Sequence, residues 1–135
     1  EISHGLWEGK PEEEIKRTWP EMLKKWHEEP ESITMPEGES IRDVAKRSIS
    51  AWENICAEQE DDDITLLVAH DAVNKTLICH ILGLDCSNIW MIKQGNGGIT
   101  VIDIFNDSNK DSVISSLNIT THLGGILDPT AKGAL

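Results

Sequence analysis

Residues 64–69, Ile-Thr-Leu-Leu-Val-Ala, form a short apolar run between an acidic turn and a histidine, and this run constrains the fold more than any other feature of the sequence. A run of this length with both of its faces apolar suits a strand of a parallel sheet, which is covered from both sides. His70 closes it. Val73, Leu77 and Ile81 then recur at helical spacing up to Gly83, a residue suited to the position just past a helix end. The expected order is therefore strand, His70 and a helix over residues 72–82. In an open α/β sheet, that strand end is where ligands bind.

The segments around this unit extend the pattern. Pro11, followed by Glu12, Glu13 and Glu14, suits a first helical turn, since proline lacks a donor that would be unused there and the acids face the positive end of the helix dipole. Ile15, Trp19, Met22, Leu23 and Trp26 lie near helical spacing, but Pro20 disfavours helical geometry at Trp19, so two short helices are expected. Residues 27–39 contain Pro30, Pro36, Gly38 and several glutamates, and read as a polar loop of the kind that forms lids. Ser40 and Asp43 then give a capping-box start. Ile41, Val44, Ala45, Ser48, Ile49, Trp52, Ile55 and Cys56 follow on one helical face, expected to pack on a sheet. Residues 99–105 and 112–120 read as two strands of a hairpin joined by a polar turn at 106–111, and the tail after His122 reads as loose.

With 135 residues the chain has room for one core and is read as a single domain over 1–135. Its 24 acidic residues against 12 Lys and Arg exclude a nucleic-acid backbone as partner, because phosphate contacts need clustered cations. No apolar stretch approaches the roughly 20 residues that span a bilayer, and no basic and apolar leader opens the sequence, so a cytoplasmic location is expected. Cys56, Cys79 and Cys86 lack ligand spacing and are read as reduced thiols. His4, His27, His80 and His122 show no metal-like spacing, and neither metal nor cofactor is expected.

His70 is the residue with the clearest chemical potential. At a helix N-terminus, free backbone donors and the dipole favour a phosphate, and an imidazole N–H adds to them. Asp71 is expected to cap the helix, with its carboxylate turned back onto the N–H of Asn74. The Ala72 backbone and Lys75, one turn in, are the other candidate contacts to a phosphorylated substrate.

Three segments carry a family resemblance. Glu1-Ile2 through Trp7-Glu8-Gly9, Pro36-Glu37-Gly38-Glu39-Ser40 and Leu67-Val68-Ala69-His70 resemble, in that order, segments of the histidine phosphatase superfamily, the phosphoglycerate mutase-like fold. Val68 to Lys75, with residues 94–98 and Thr121-His122-Leu123, is most similar to photosynthetic phosphoglycerate mutase and 2-carboxyarabinitol-1-phosphatase-like members.

The resemblance implies an α/β fold with a mainly parallel sheet flanked by helices. It also implies phosphomonoester hydrolysis, or mutase-type transfer, on a small phosphorylated acid through a phosphohistidine intermediate. Glu1 would be the proton donor to the leaving oxygen and then the base for water, and His70 would steady the transferring phosphoryl group. Trp7, Glu8 and Gly9 would pack and turn the chain. Two departures accompany the match. No Arg-His-Gly nucleophile motif occurs, so the first strand, the attacking histidine and the phosphate-clamping arginines are expected before Glu1; and Asp71 stands where glycine or asparagine is common. The isolated chain is accordingly expected to be inactive, with the missing segment supplied by an N-terminal extension or a second chain, and with homo-oligomerisation as a further expectation. The rival reading is a non-catalytic remnant that binds a phosphorylated ligand or a protein.

Overall fold

A computed structural model describes residues 1–60, 62–105 and 112–124. Helices α1 (Glu12–Thr18) and α2 (Pro20–Glu28) meet at Trp19, which leaves helical geometry at φ −133° so that Pro20 can begin the next helix. Helix α3 (Ile41–Glu58) starts with the expected capping box: Ser40 Oγ accepts from the Asp43 N–H at 3.1 Å, and Asp43 Oδ2 accepts from the Ser40 N–H at 2.9 Å. Helix α4 (Asp71–Ile81) ends where Gly83 takes a left-handed φ of 67°, letting the Leu84 N–H return to the Cys79 carbonyl at 2.8 Å.

The core lies between these helices. Ile15, Leu23, Trp26, Ile41, Val44 and Ile78 are buried together in one cluster that also takes in Ile89 and Ile92 from the segment after α4. Helix α3 was expected to pack on a sheet; it packs on α4 instead, where Ser48 Oγ lies 3.0 Å from Thr76 Oγ1 in the buried seam. No described helix is long and apolar enough to cross a membrane.

Strands β1 (Ile99–Ile104) and β2 (Ser112–Ile119) pair antiparallel as the expected hairpin, with Ile102 opposite Ile114. The expected turn at 106–111 and the tail beyond Gly124 lie outside the described residues. This hairpin is the only sheet among the described residues, so the expected parallel sheet is not found there. Residues 64–69 do not form a strand. Ile64, Leu66 and Val68 are 97%, 84% and 87% exposed, because nothing within the described residues lies alongside them to pair with their backbone or cover their side chains.

The segment at 27–39, expected as a polar lid, is built differently. It begins within α2, turns through a 3-10 helix at Pro30–Ser32, and buries Pro30, Ile33 and Met35, while an antiparallel bridge between Thr34 and Ser40 closes its second half. Its alternating apolar residues give it an anchor in the core that the count of prolines and glutamates conceals.

Candidate active site

The two loop motifs, whose Ser3–Glu39 pair is 36 residues apart in the chain, are folded onto each other. The Ser3 N–H donates to Glu39 Oε2 at 2.9 Å, the Glu39 N–H donates to the Ser3 carbonyl at 2.9 Å, and the Leu6 N–H donates to the Pro36 carbonyl at 2.8 Å. Gly5, at φ 55°, permits this approach: a Cβ there would lie 2.1 Å from the Pro36 carbonyl oxygen. Gly38 answers from the other side, where a Cβ would lie 2.5 Å from the Ser3 carbonyl oxygen.

Arg47, one face of α3 away, locks the arrangement. Its Nε donates to Glu39 Oε1 at 2.8 Å and its Nη2 donates to the Glu1 carbonyl oxygen at 2.6 Å. The hydrogen bond from Arg47 is the chief cause that holds the Glu39 carboxyl below the ordinary glutamate range, and the same bond pushes the Arg47 guanidinium above its usual value. Neither residue was singled out from sequence. Glu39 was visible within its motif, but Arg47 sits on an exposed helical face with no local signal.

The pinned backbone delivers Glu1 to the start of α4. Glu1 Oε1 accepts from its neighbour Ile2 N–H at 2.8 Å and from the Ala72 N–H at 3.1 Å. His70, exposed, is the N-cap residue of that helix, and its carbonyl accepts from the Asn74 N–H at 2.9 Å. Glu1, His70, Asp71, Ala72 and Lys75 are thus gathered at one helix end, from positions 70 residues apart in the chain.

Three of the expected details change. Asp71 is not the cap: His70 occupies that position, and Asp71 lies inside the first turn with Oδ2 2.8 Å from Lys75 Nζ. Lys75, expected to contact a phosphorylated substrate, turns inward. It is 4% exposed, paired with Asp71, and its ammonium lies 5.1 Å from the centre of the Trp90 ring. Trp90 is in turn fixed by its indole N–H, which donates to the Trp26 carbonyl at 3.1 Å. The Ala72 N–H, expected to meet a phosphate, meets the Glu1 carboxylate.

The glycine-rich segment also finds its partner. His122 Nε2 lies 3.0 Å from the Gly97 carbonyl oxygen, and Asn118 Oδ1 accepts from the Gly95 N–H at 2.8 Å. These contacts tie residues 94–98 to the end of β2 and not to His70. Among the described residues no three His, Cys, Asp or Glu side chains come together as a metal site.

Residues 1–118 match the family described as histidine phosphatase superfamily (branch 1). The chain belongs to that superfamily. It is 32% identical over 124 residues to phosphoserine phosphatase 1 of Hydrogenobacter thermophilus, covering 92% of this chain and 57% of that protein. To the 2-carboxy-D-arabinitol-1-phosphatase of Triticum aestivum it is 27% identical over 103 residues, 76% of this chain and 20% of that one. Among solved structures, the Entamoeba histolytica phosphoserine phosphatase in complex with 3-phosphoglyceric acid matches with TM-score 0.73 and 31% identity, over 91% of this chain and 60% of that one. Bacillus stearothermophilus YhfR shares the fold at TM-score 0.81 and 23% identity, covering 91% and 59% of the two chains. The chain therefore spans less than two thirds of the length of these relatives.

Proposed function

We propose that this chain carries the acid–base half of a phosphomonoesterase that acts on a small phosphorylated acid through a phosphohistidine. The observation that carries this reading is the placement of the Glu1 carboxylate against the Ala72 N–H, beside the helix end that His70 caps. A carboxylate positioned by a backbone donor at a helix N-terminus can exchange a proton with a group bound there. His70 is exposed and offers an imidazole to the oxygens of a phosphoryl group.

In the proposed sequence a histidine nitrogen attacks phosphorus while the ester P–O bond breaks, and Glu1 gives its proton to the departing oxygen. Water then attacks the phosphohistidine, Glu1 takes a proton from it, and inorganic phosphate leaves with the histidine regenerated. The attacking histidine is assigned to a segment outside these 135 residues, which contain no Arg-His-Gly. The exposed apolar residues Ile64, Leu66 and Val68 support that assignment, since a strand laid beside 64–69 would complete a parallel sheet there. Hydrolysis is favoured over mutase transfer because the Hydrogenobacter, Triticum and Entamoeba proteins described above bear phosphatase names.

The test joins this chain to the N-terminal segment of the Hydrogenobacter phosphoserine phosphatase 1 and measures phosphate release from O-phospho-L-serine, 3-phosphoglycerate and a chromogenic ester. Turnover is expected in the joined protein and not in the chain alone. Glu1→Gln should lower kcat by roughly 10²–10⁴-fold, and His70→Ala by a comparable factor. A joined protein that folds and turns over with Glu1→Gln unimpaired would overturn the assignment.

A further inference from the structure

The Asp71 carboxylate sits where the proposed reaction least tolerates one. It opens α4 directly after His70, and Glu1 stands against the next N–H, so two carboxylates meet at the helix end to which the phosphoryl oxygens are assigned. A phosphate monoester is itself an anion, and like charges repel over several ångströms in a partly solvated site. The chain as a whole offers no relief, with a formal charge of −12. Arg47, which reaches the Glu1 carbonyl, is committed to Glu39.

Lys75 supplies the compensating charge from an inner position. Its Nζ lies 2.8 Å from Asp71 Oδ2, one turn back along α4, and 5.1 Å from the centre of the Trp90 ring. Trp90 stands edge-to-face on Trp26 with ring centres 5.2 Å apart and donates its indole N–H to the Trp26 carbonyl, so the ring beside the ammonium is itself held. A lysine ammonium is ordinarily hydrated on a mobile stem. Here the Asp71 side chain keeps 19% of its surface exposed and that of Lys75 only 6%, which puts the ammonium on the inner side of the pair. Asp71 Oδ1 has no partner, and among the described residues no other cation pairs with that carboxylate. A buried ion pair is weak evidence of stability, because apolar groups of similar volume hold a fold as well. A role in charge is the better account.

We infer that Lys75 is a positioning residue of the proposed phosphatase site: it draws the Asp71 carboxylate inward and cancels its charge, so that the α4 N-terminus stays open to a phosphoryl anion. The inference rests on that phosphatase reading and adds to it a residue that acts without touching substrate. It also explains how an aspartate is tolerated where the family resemblance leads one to expect glycine or asparagine. The competing account makes the pair a staple of the first turn of α4, and the two accounts differ in sign. A staple is lost equally whichever partner is removed. A counter-charge is not, because removing Lys75 leaves a carboxylate at the site and removing Asp71 leaves an ammonium.

The parent chain, Lys75→Met, Asp71→Asn and the double variant make this pair neutral, negative, positive and neutral in turn. Inorganic phosphate is titrated into each 135-residue chain at neutral pH, with the His70 and Ala72 amide resonances followed by NMR and the whole amide spectrum as the check on folding. Asp71→Asn should bind phosphate most tightly and Lys75→Met most weakly, each differing from the parent by roughly three- to tenfold, the effect of one charge across about 8–10 Å. The double variant should return to the parent value, and the spread should shrink as salt is raised. Should Lys75→Met fail to fold, Asp71→Asn against the neutral double variant reads the same sign. Both single variants weakened alike, or four equal affinities, would overturn the role of Lys75 while leaving the phosphate site in place. Phosphate that moves no resonance in any of the four at millimolar concentration would overturn the phosphatase-site reading beneath it.

Discussion

Residues 1–60 are poorer in apolar side chains than residues 62–70, yet the first region buries most of its own and the second leaves them exposed. In the first region, loop and helix alike find partners: Ile2, Trp7 and Ile15 are buried, and even the irregular 33–40 stretch is tied by backbone and carboxylate bonds to residues 3–6. In the second, Ile64, Leu66 and Val68 face solvent. The difference lies in where the partners are. A helix satisfies its own backbone and needs only a neighbour for one face, whereas a strand must borrow hydrogen bonds from another strand. Residues 64–69 can be apolar on both sides and still not become a strand when no partner lies among the described residues.

The comparison is broken most directly in the core. Ile41 is 0% exposed at the α3 seam, and Ile41→Ala should cost about 3 kcal/mol in urea unfolding. An unfolding midpoint that hardly moved would mean that the first region is as loosely held as the second. Next comes Gly5→Ala, which combines a left-handed φ with a Cβ driven into the Pro36 carbonyl. About 2 kcal/mol is expected from the strain, and the Ala72 amide resonance should shift as Glu1 is displaced. A Gly5→Ala protein with an unaltered Ala72 signal would separate the loop contact from the positioning of Glu1.

Much of the first region was legible in the sequence because its signals are local. The Ser40–Asp43 box and the Pro20 break each act within four residues, as does Gly83 at the end of α4, and the structure has all three. The hairpin was legible from its two β-rich runs. What escaped was set by distance. Asp71 has the residue type of a cap, but the chain enters α4 one residue earlier, at His70, and the side chain turns to Lys75. Lys75 reads as a substrate contact, but Trp90, fifteen positions on, provides a ring that covers its ammonium. The buried anchor of the supposed lid, Ile33 and Met35, is an alternation too short to stand out among prolines and glutamates. For residues 64–69 the apolar pattern was read correctly as two-sided, but pattern alone does not say whether a partner strand lies within the described residues.

A smaller effect sharpens the account of how the loops are held. Arg47 donates to Glu39 and to the Glu1 carbonyl, and the pairing lowers the Glu39 carboxyl. A carboxylate with a depressed folded-state pKa adds stability that is fully present above the unfolded glutamate range and is lost as pH falls through the folded value. Arg47→Met should therefore cost roughly 0.5–1 kcal/mol near neutrality, given the partial exposure of the pair. Below the folded-state pKa of Glu39 it should cost less, because the parent protein has lost the same bond there. Urea unfolding at a series of pH values checks the sign, and a penalty that grew on acidification would refute it.

The smallest effect in the isolated chain is expected from the exposed run, and it makes the sharpest comparison. Leu66 is 84% exposed, so Leu66→Ser removes little buried area and leaves few contacts to lose. A change within about 0.5 kcal/mol is expected in this chain, as for other exposed positions. If a strand is supplied beside 64–69 by the joined N-terminal segment, the same side chain passes into a two-sided core. The same substitution should then cost about 2 kcal/mol or more, the scale of losing a buried leucine. Measuring Leu66→Ser by urea unfolding in both forms, with Ile41→Ala alongside as a position buried in each, turns the contrast between the two regions into a difference of differences. Ile41→Ala should cost about the same in both forms. Leu66→Ser should change from neutral to severe, and an equal, small cost in both would mean that residues 64–69 are not the edge on which the sheet is completed.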